Sequence, residues 1–536
     1  MIYKKGSKLL TSNYRGINII NTITKVYDHI LSSRLNEWFK PYQEQAGSQK
    51  GRSCAEHIMT LRLLCDLARR KKRKLYVCFV DFSTAYDCIP RSKMFSILRR
   101  LGCGAVMVAA LVAMYAVTQS VIGTAVVSAS IGLKQGSPTS VILFVIFIND
   151  LIHLIKSSCG IDGFLGWLHL LVLMDDTVLL STTRHGMHAK LDLLHQYCHS
   201  HKTKVNSKKT KFFVINDVIE DRESFVFELF TVAWCDRYIY LGSPFTSDGK
   251  PSSAIKEHAS SKTSQALKFV SFVQQNNDVP FYVKLRVFHA CIMSSLLYGC
   301  ETWLQGDLRP VTKLYNTCIK ALLGVRNTTC NDLCYMELGL PPLKALVTSK
   351  QRAFVKAMWR RREHLDDDPW THAMNLARQA RTATSRHLED LLIRDTDDVG
   401  EASANLRDII VNAAGSRRAK YATLNPTLSV HSVYTKRCST SSEERHRLSF
   451  TRFRVSAHSL AIETGRWNRG GRGRLPIEDR LCACGEVQDE LHVVEACPLT
   501  EHIRQQFRFQ SYRQLIEEDG AYPVLEIISK VLEIYV

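Results

Sequence analysis

Two short apolar runs that end in carboxylates constrain the fold more than any other feature of this chain. Leu75 to Asp81 reads LYVCFVD, and Leu168 to Asp176 reads LHLLVLMDD before continuing as TVLLS. A run of this length suits a strand buried on both faces, and an acid at its end marks where the chain leaves the core. The second run predicts a hairpin with Asp175 and Asp176 at its tip, and the first predicts a strand that delivers Asp81 to its edge. Carboxylates gathered on apolar strands repel one another and would take up protons unless divalent cations lie between them. Mg²⁺ meets that need. A merely hydrophilic hairpin tip is the better reading of an isolated Asp-Asp pair, so the choice depends on what surrounds the three acids.

Around these runs the apolar spacing is helical over Tyr14 to Leu35, Ala55 to Arg70, Arg91 to Val117, Ser140 to Ile155 and Met187 to Cys198. Ser120 to Ile131 is rich in β-branched residues, and Lys211 to Ile215 reads as a further strand, so the first half is an α+β unit. Helical patterns then dominate: Ser253 to Gln275, Pro280 to Tyr298, Val311 to Leu323 and Ser349 to Arg362. Thr423 to Arg447, polar and weakly periodic, is the expected linker. The most apolar stretches, Ala105 to Val117 and Val141 to Ile148, fall short of the ~20 residues of a membrane span and predict buried helices. No membrane partner is expected.

A formal net charge of +20 and a pI near 9.3 favour a polyanionic partner, nucleic acid first, because Lys and Arg gain affinity by releasing counterions from phosphates. The 17 cysteines lack the spacing of a secreted scaffold, and the opening MIYKKGSKLL has no signal-peptide core, so a reducing, intracellular setting is expected. Cys482, Cys484, His492 and Cys497 supply three thiols and an imidazole within sixteen residues, a donor set for tetrahedral Zn²⁺. Chance clustering is the alternative, since the first two are closer than in most zinc fingers. Arg466 to Arg474, RWNRGGRGR, is basic with one stackable ring and suits single strands. Arg69 to Lys74, RRKKRK, reads as a phosphate-facing patch or a nuclear import signal.

The order of the remaining motifs is more particular. Asn13-Tyr14-Arg15-Gly16-Ile17 precedes QAGSQKGRS at Gln45 to Ser53, FVDFSTAYD at Phe79 to Asp87 and GLKQGSPTSVILF at Gly132 to Phe144. LMDD at Leu173 to Asp176, Asn206-x-x-Lys209-Thr210 and Tyr240-Leu241-Gly242 follow, and LLYGCETW at Leu296 to Trp303 lies beyond. In this order they resemble the reverse transcriptases of non-LTR, LINE-type retrotransposons. The resemblance implies a right-hand polymerase with fingers, a palm built on an antiparallel sheet and a helical thumb, followed by a mostly helical region with a small Cys/His cluster. The implied division is fingers and palm over 1–250, thumb over 251–345, a helical region and linker over 346–447, and a basic, zinc-knuckle-like region over 448–536.

The same resemblance implies RNA-directed DNA synthesis on two Mg²⁺ ions held by Asp81, Asp175 and Asp176, with an RNA template, a DNA primer or target, and deoxynucleoside triphosphates as partners. Lys209 would be the general acid for pyrophosphate. Tyr86 would lie beneath the sugar and exclude a 2′-hydroxyl, against a plain core tyrosine. Gln135 and Gly136 would pack on the nascent pair, against a plain turn, and Arg15 and Lys50 would meet triphosphate or template, against a solvated face. Nucleus and cytoplasm are the implied compartments. The opening leaves no room for the endonuclease that such elements generally carry ahead of the first motif, so this chain resembles a form truncated at its N-terminus.

Five positions depart from the family pattern. Leu173 stands where an aromatic is usual, Met174 where a small residue is usual, Gly47-Ser48-Gln49 in place of Gly-Phe-Arg, and Val141 in place of Pro. Such changes fit a copy drifting after selection is lost, so a non-catalytic nucleic-acid-binding remnant stands beside the polymerase. A mobile-intron maturase shares the palm but gives no reason for the Cys/His cluster.

Overall fold

The computed structural model describes residues 2–3, 6–10, 13–122, 124–362, 368–435, 440–467, 473–517 and 523–535. They form two compact units. The first comprises Met1–Ala254, Thr302–Gly306 and Phe354–Ile393, and the second Ile255–Glu301, Asp307–Ala353 and Arg394–Val536.

Strands of the first unit run in chain order β1 (Ile2–Tyr3), β2 (Tyr14–Arg15), β3 (Leu75–Val80), β4 (Gln119–Ile122), β5 (Ala125–Ser128), β6 (Leu170–Leu173), β7 (Asp176–Ser181) and β8 (Lys211–Ile215). β9 (Phe225–Val226), β10 (Thr231–Trp234), β11 (Arg237–Tyr240) and β12 (Ser243–Thr246) complete them. Six make the central sheet, in the order β6-β7-β3-β8-β10-β9, antiparallel throughout except for β8 with β10. The other strands form three two-stranded hairpins or pairs.

Both faces of the sheet are covered, which is why β3 reads as an unbroken apolar run. Tyr76, Cys78 and Val80 point into one core with α1 (Thr22–Trp38), α3 (Arg91–Arg100), α4 (Ala105–Ala116), α5 (Pro138–Ser158) and α6 (Arg184–His201). Leu75, Val77 and Phe79 point into the other, beneath the helix Cys54–Arg70, the helix Pro369–Gln379 with Trp370 and Met374, and the ring pair Tyr240 and Phe245 of the β11–β12 hairpin. The period-two alternation of strand side chains thus divides one run between two cores.

Expectations for individual elements are revised here. Arg91 to Val117 is two helices, because Gly102 at φ +80° turns the chain between α3 and α4. The helix predicted from Ser140 extends to 21 residues as α5, and it is the one helix among the described residues long and apolar enough to cross a membrane. Most of that run is buried in the first unit's core, where a soluble core helix meets the same criteria. The described part of Thr423 to Arg447, which leaves out 436–439, is packed rather than linking: Leu428 and Tyr434 are buried, and the Tyr434 hydroxyl donates to Glu337 at 2.7 Å. The stretch 346–447 is also divided, since Phe354–Ile393 packs in the first unit and Arg394 opens the last segment of the second.

The second unit is mostly helical, with a core between the helices Ser441–Arg454 and Val524–Glu533 that includes Phe450, Phe453, Val493, Ile527 and Val531. One buried pair is central to it: Arg454 meets Glu337 at 3.0 Å, and Tyr421 and Tyr434 each donate to the same carboxylate. Removing one partner strands the other in low dielectric. Glu337→Ala is expected to cost about 3–5 kcal/mol in a denaturant melt, and a loss below 1 kcal/mol would show the pair to be solvated.

Candidate active site

The β3–β7 register places Val80 opposite Thr177, so the next residues, Asp81 and Asp176, leave the sheet side by side. On the other side β7 turns back to β6 with Leu173 opposite Asp176, leaving Met174 and Asp175 as a two-residue turn. Met174 takes φ +58°. Left-handed backbone at the first turn position is normally glycine's, so the tip is strained for a methionine.

That strain is held by a segment the sequence reading used only as a motif. Val172 N donates to Glu44 O at 2.8 Å and Ala46 N donates to Val172 O at 2.9 Å, so Glu44 to Ala46 continues the sheet beside β6. The buried Gln45 amide oxygen then accepts from Gly47 N at 2.7 Å and from Met174 N at 3.1 Å. Gly47 sits so close that a Cβ there would lie 2.5 Å from Met174 Sδ. Gln45 is therefore a positioning residue for the acidic tip, and the signal that could have found it was an uncharged polar residue opening the QAGSQKGRS motif.

Lys209 lies in a turn tied to the Asp81 backbone: Asn206 N donates to Asp81 O at 2.8 Å and Asp81 N donates to Thr210 Oγ1 at 3.1 Å. Its ammonium stands 3.2 Å from both Asp81 oxygens. Desolvation first, then the charges of Asp175 and Asp81, push the Asp176 carboxyl up to about 6 against the pull of Lys209. Although Asp176 is exposed as a residue, its carboxyl is crowded by two like charges. Below them Tyr238 stacks on Phe79 with ring centroids 4.1 Å apart, and burial, Asp81 and Asp176 hold its phenol well above the usual range. Tyr238 lies just ahead of the Tyr240-Leu241-Gly242 motif and carried no signal of its own in the sequence.

The remaining residues of the expected site are less uniformly gathered. Tyr86 is half-buried and stacks on Phe144, centroids 4.5 Å apart at 14°. Gln135 Nε2 donates to Asp87 Oδ1 at 2.8 Å, and Gly136 at φ +110° lets the backbone pass Asn18, whose carbonyl a Cβ would meet at 2.6 Å. The helix that follows, α5, starts on the buried Asp28 carboxylate, which accepts from Thr139 N at 3.2 Å and from the Ser137 hydroxyl. Lys50 is exposed. Arg15 is placed in backbone at β2, and its side chain lies outside the described residues. Of the run Arg69 to Lys74, Arg69 and Arg70 hold Asp66 at 2.7 and 2.8 Å and Lys74 holds Asp221 at 2.7 Å, while Lys71, Lys72 and Arg73 are exposed.

Among the described residues, the group of three or more His, Cys, Asp and Glu side chains gathered as for one metal ion is Cys482, Cys484, His492 and Cys497, with ligand atoms within 4.8 Å of one another. The Sγ atoms of Cys482 and Cys497 are 3.7 Å apart, those of Cys484 and Cys497 3.8 Å, and Cys484 Sγ lies 3.2 Å from His492 Nε2. A tetrahedron with Zn–S bonds of about 2.3 Å has S–S edges of about 3.8 Å. The tight first gap is made by a turn, with Cys482 N donating to Glu486 O at 2.7 Å and Gly485 at φ +98°. Burial opposes ionisation of the Cys482 thiol, but hydrogen bonds from the Cys484 backbone, His492 and the neighbouring thiols outweigh it and lower its pKa. Of the basic stretch that precedes the cluster, 468–472 lie outside the described residues, and the Arg326 guanidinium lies 4.2 Å over the Trp467 ring.

Residues 2–245 match the family described as reverse transcriptase (RNA-dependent DNA polymerase). The chain is similar to the Pol polyprotein of the type-1 retrotransposable element R2 from Popillia japonica, 24% identical over 530 residues, which covers 94% of this chain and 69% of that one. It is also similar to the Pol polyprotein of the type-2 retrotransposable element R2DM from Drosophila melanogaster, 25% identical over 252 residues. That alignment covers 44% of this chain and 24% of the relative's length. Apo telomerase from Candida tropicalis superposes over 74% of this chain and 59% of its own at 12% identity with a TM-score of 0.32, too partial a likeness to bear on function.

Proposed function

From the premise that the chain belongs to the LINE-type, non-LTR reverse transcriptases, we propose that its first unit is an RNA-directed DNA polymerase extending a DNA 3′-hydroxyl on an RNA template. The observation that carries the reading is the tip itself: the β3–β7 register brings the strand end at Asp81 beside Asp176, with Asp175 in the adjoining turn, on a hairpin clamped by Gln45. Crowded carboxylates of this kind suit Mg²⁺, with Asp81, Asp175 and Asp176 as its ligands. When bound, two such ions supply Lewis-acid activation of the 3′-hydroxyl and charge neutralisation at the leaving pyrophosphate.

The protein's own groups do the rest. Lys209 keeps an ammonium 3.2 Å from Asp81 and is the general acid for pyrophosphate. Tyr86, braced by Phe144, forms the floor under the nucleotide sugar and selects deoxynucleotides. Gln135, fixed by Asp87, and Gly136 pack on the nascent pair without reading its sequence, and Arg15 and Lys50 meet triphosphate or template. The central sheet is the palm, residues 251–345 the thumb, and 448–536 a nucleic-acid-binding region organised by Zn²⁺ on Cys482, Cys484, His492 and Cys497. An RNA template, a nicked DNA target and deoxynucleoside triphosphates are the partners, and the nucleus and cytoplasm the compartments.

Primer extension on poly(rA)/oligo(dT) with Mg²⁺ tests the reading, and no extension by the parent protein favours the non-catalytic remnant. The acids also predict a pH dependence. Between the ordinary carboxylate range and about 6, Asp176 holds a proton that a cation must displace. Divalent-ion affinity is therefore expected to fall about tenfold per pH unit as pH drops below 6, measured by Mn²⁺ titration. A flat profile down to pH 4.5 would count against it.

A further inference from the structure

The second unit contains a cavity of about 570 Å³ that the polymerase reading does not use. It lies between the C-terminal end of the helix Arg309–Leu323 and the helix Ser441–Arg454, and its walls carry Lys284, Lys320, Arg326, Arg447, Arg452 and His458 with no Asp or Glu among them. Part of this charge has a local purpose. Lys320 donates to Asn327 O at 2.7 Å and Arg452 to Gly324 O at 2.9 Å, so both satisfy carbonyls where the first helix ends. His458 is paired with Glu490 at 3.0 Å.

Lys284 and Arg447 are not explained this way. Arg447 is 2% exposed; its Nε donates to Glu444 at 2.8 Å, but its Nη1 is buried without a hydrogen-bond partner. Lys284 is 4% exposed, its ammonium has no hydrogen bond among the described residues, and its compensation comes from that same Glu444 carboxylate and from Asp278. Burial, opposed by Glu444 and reinforced by Arg447, lowers the Lys284 pKa, and burial with Arg326 and Arg447 lowers that of Arg452. Lys284, Lys320 and Arg447 are all buried at this wall, whereas of the two acids acting on Lys284 only Glu444 is buried with them, an imbalance that an anion would offset. Arg326 stands at the wall with its guanidinium stacked on Trp467.

We infer that this cavity is a phosphate-binding site, in which Lys284, the free Nη1 of Arg447 and Arg326 receive an anion of at most nucleotide size. Guanidinium and ammonium donors lining one cavity suit phosphate oxygens, and the volume falls within the range of ligand pockets. The phosphate has two possible sources, a free anion or the backbone of a bound strand. The inference stands apart from the polymerase reading, and its failure would leave that reading untouched.

Calorimetric titration of the full chain with inorganic pyrophosphate, and separately with a short RNA, tests it with no Mg²⁺ added, so that the acidic tip repels both probes. Pyrophosphate binding that Lys284→Met and Arg326→Ala each weaken about tenfold or more assigns the site to a free anion. RNA binding weakened by both variants, with pyrophosphate failing to bind, assigns it to a backbone phosphate. Lys284→Met is expected to melt close to the parent, because it removes a desolvated ammonium whose partner Glu444 keeps its hydrogen bond from Arg447. Binding of neither probe tighter than roughly 10 mM, or binding that both variants leave unchanged, would overturn the inference.

Discussion

Asp81→Asn and Asp175→Asn are each expected to reduce primer extension by about a thousandfold or more, because losing a ligand to the catalytic cations removes roughly 4 kcal/mol of transition-state stabilisation. Asp176→Asn separates that loss from misfolding. The Asp176 carboxyl titrates near 6, above its ordinary range, so the folded state binds its proton more tightly than the unfolded one and loses stability as pH rises through that window. At neutral pH the charge therefore works against the fold, and the Asn variant is expected to melt at the parent's midpoint or higher while its extension activity disappears. Extension within tenfold of the parent in Asp81→Asn or Asp175→Asn would remove these residues from the chemistry.

Zinc removal should produce the largest change in stability. Structural zinc in small Cys/His sites contributes about 10–16 kcal/mol of apparent binding energy at neutral pH, more than a typical domain's whole margin. Treatment with a zinc-selective chelator in excess Mg²⁺, or Cys497→Ser, is expected to expose the region around Cys482 to Cys497 to protease and to lower the second unit's melting transition. Tyr535, against the Cys497 and Cys482 thiols, should lose its packing with it. A parent protein that contains no zinc, or a Cys497→Ser variant that resists protease like the parent, would show the four side chains to be an unused cluster.

The acidic strand ends were legible because each was encoded locally: an apolar run of strand length, then a carboxylate. The gathering of four zinc-type donors was legible in their closeness along the chain, whereas the antiparallel sheet was expected only from the family resemblance. What escaped depends on partners far apart in the chain. Gln45 is polar and buried only because the β6 edge passes beside it, and nothing in its neighbours announces Met174 as its acceptor's donor. Thr423 to Arg447 reads as a polar connector because Tyr434 is buried against Glu337, 97 residues away. The split of Arg91 to Val117 was visible in Gly102 and Gly104, but apolar periodicity on both sides masked it.

The crowding at Gly47 involves backbone as much as side chain: a Cβ there would lie 2.7 Å from Met174 N and from the Gln45 amide oxygen as well as 2.5 Å from the sulfur. Shortening residue 174 to alanine would free only the space its sulfur fills. Position 47 is thus closed to any side chain whatever stands at 174, and lineages of this chain should keep glycine there while residue 174 varies.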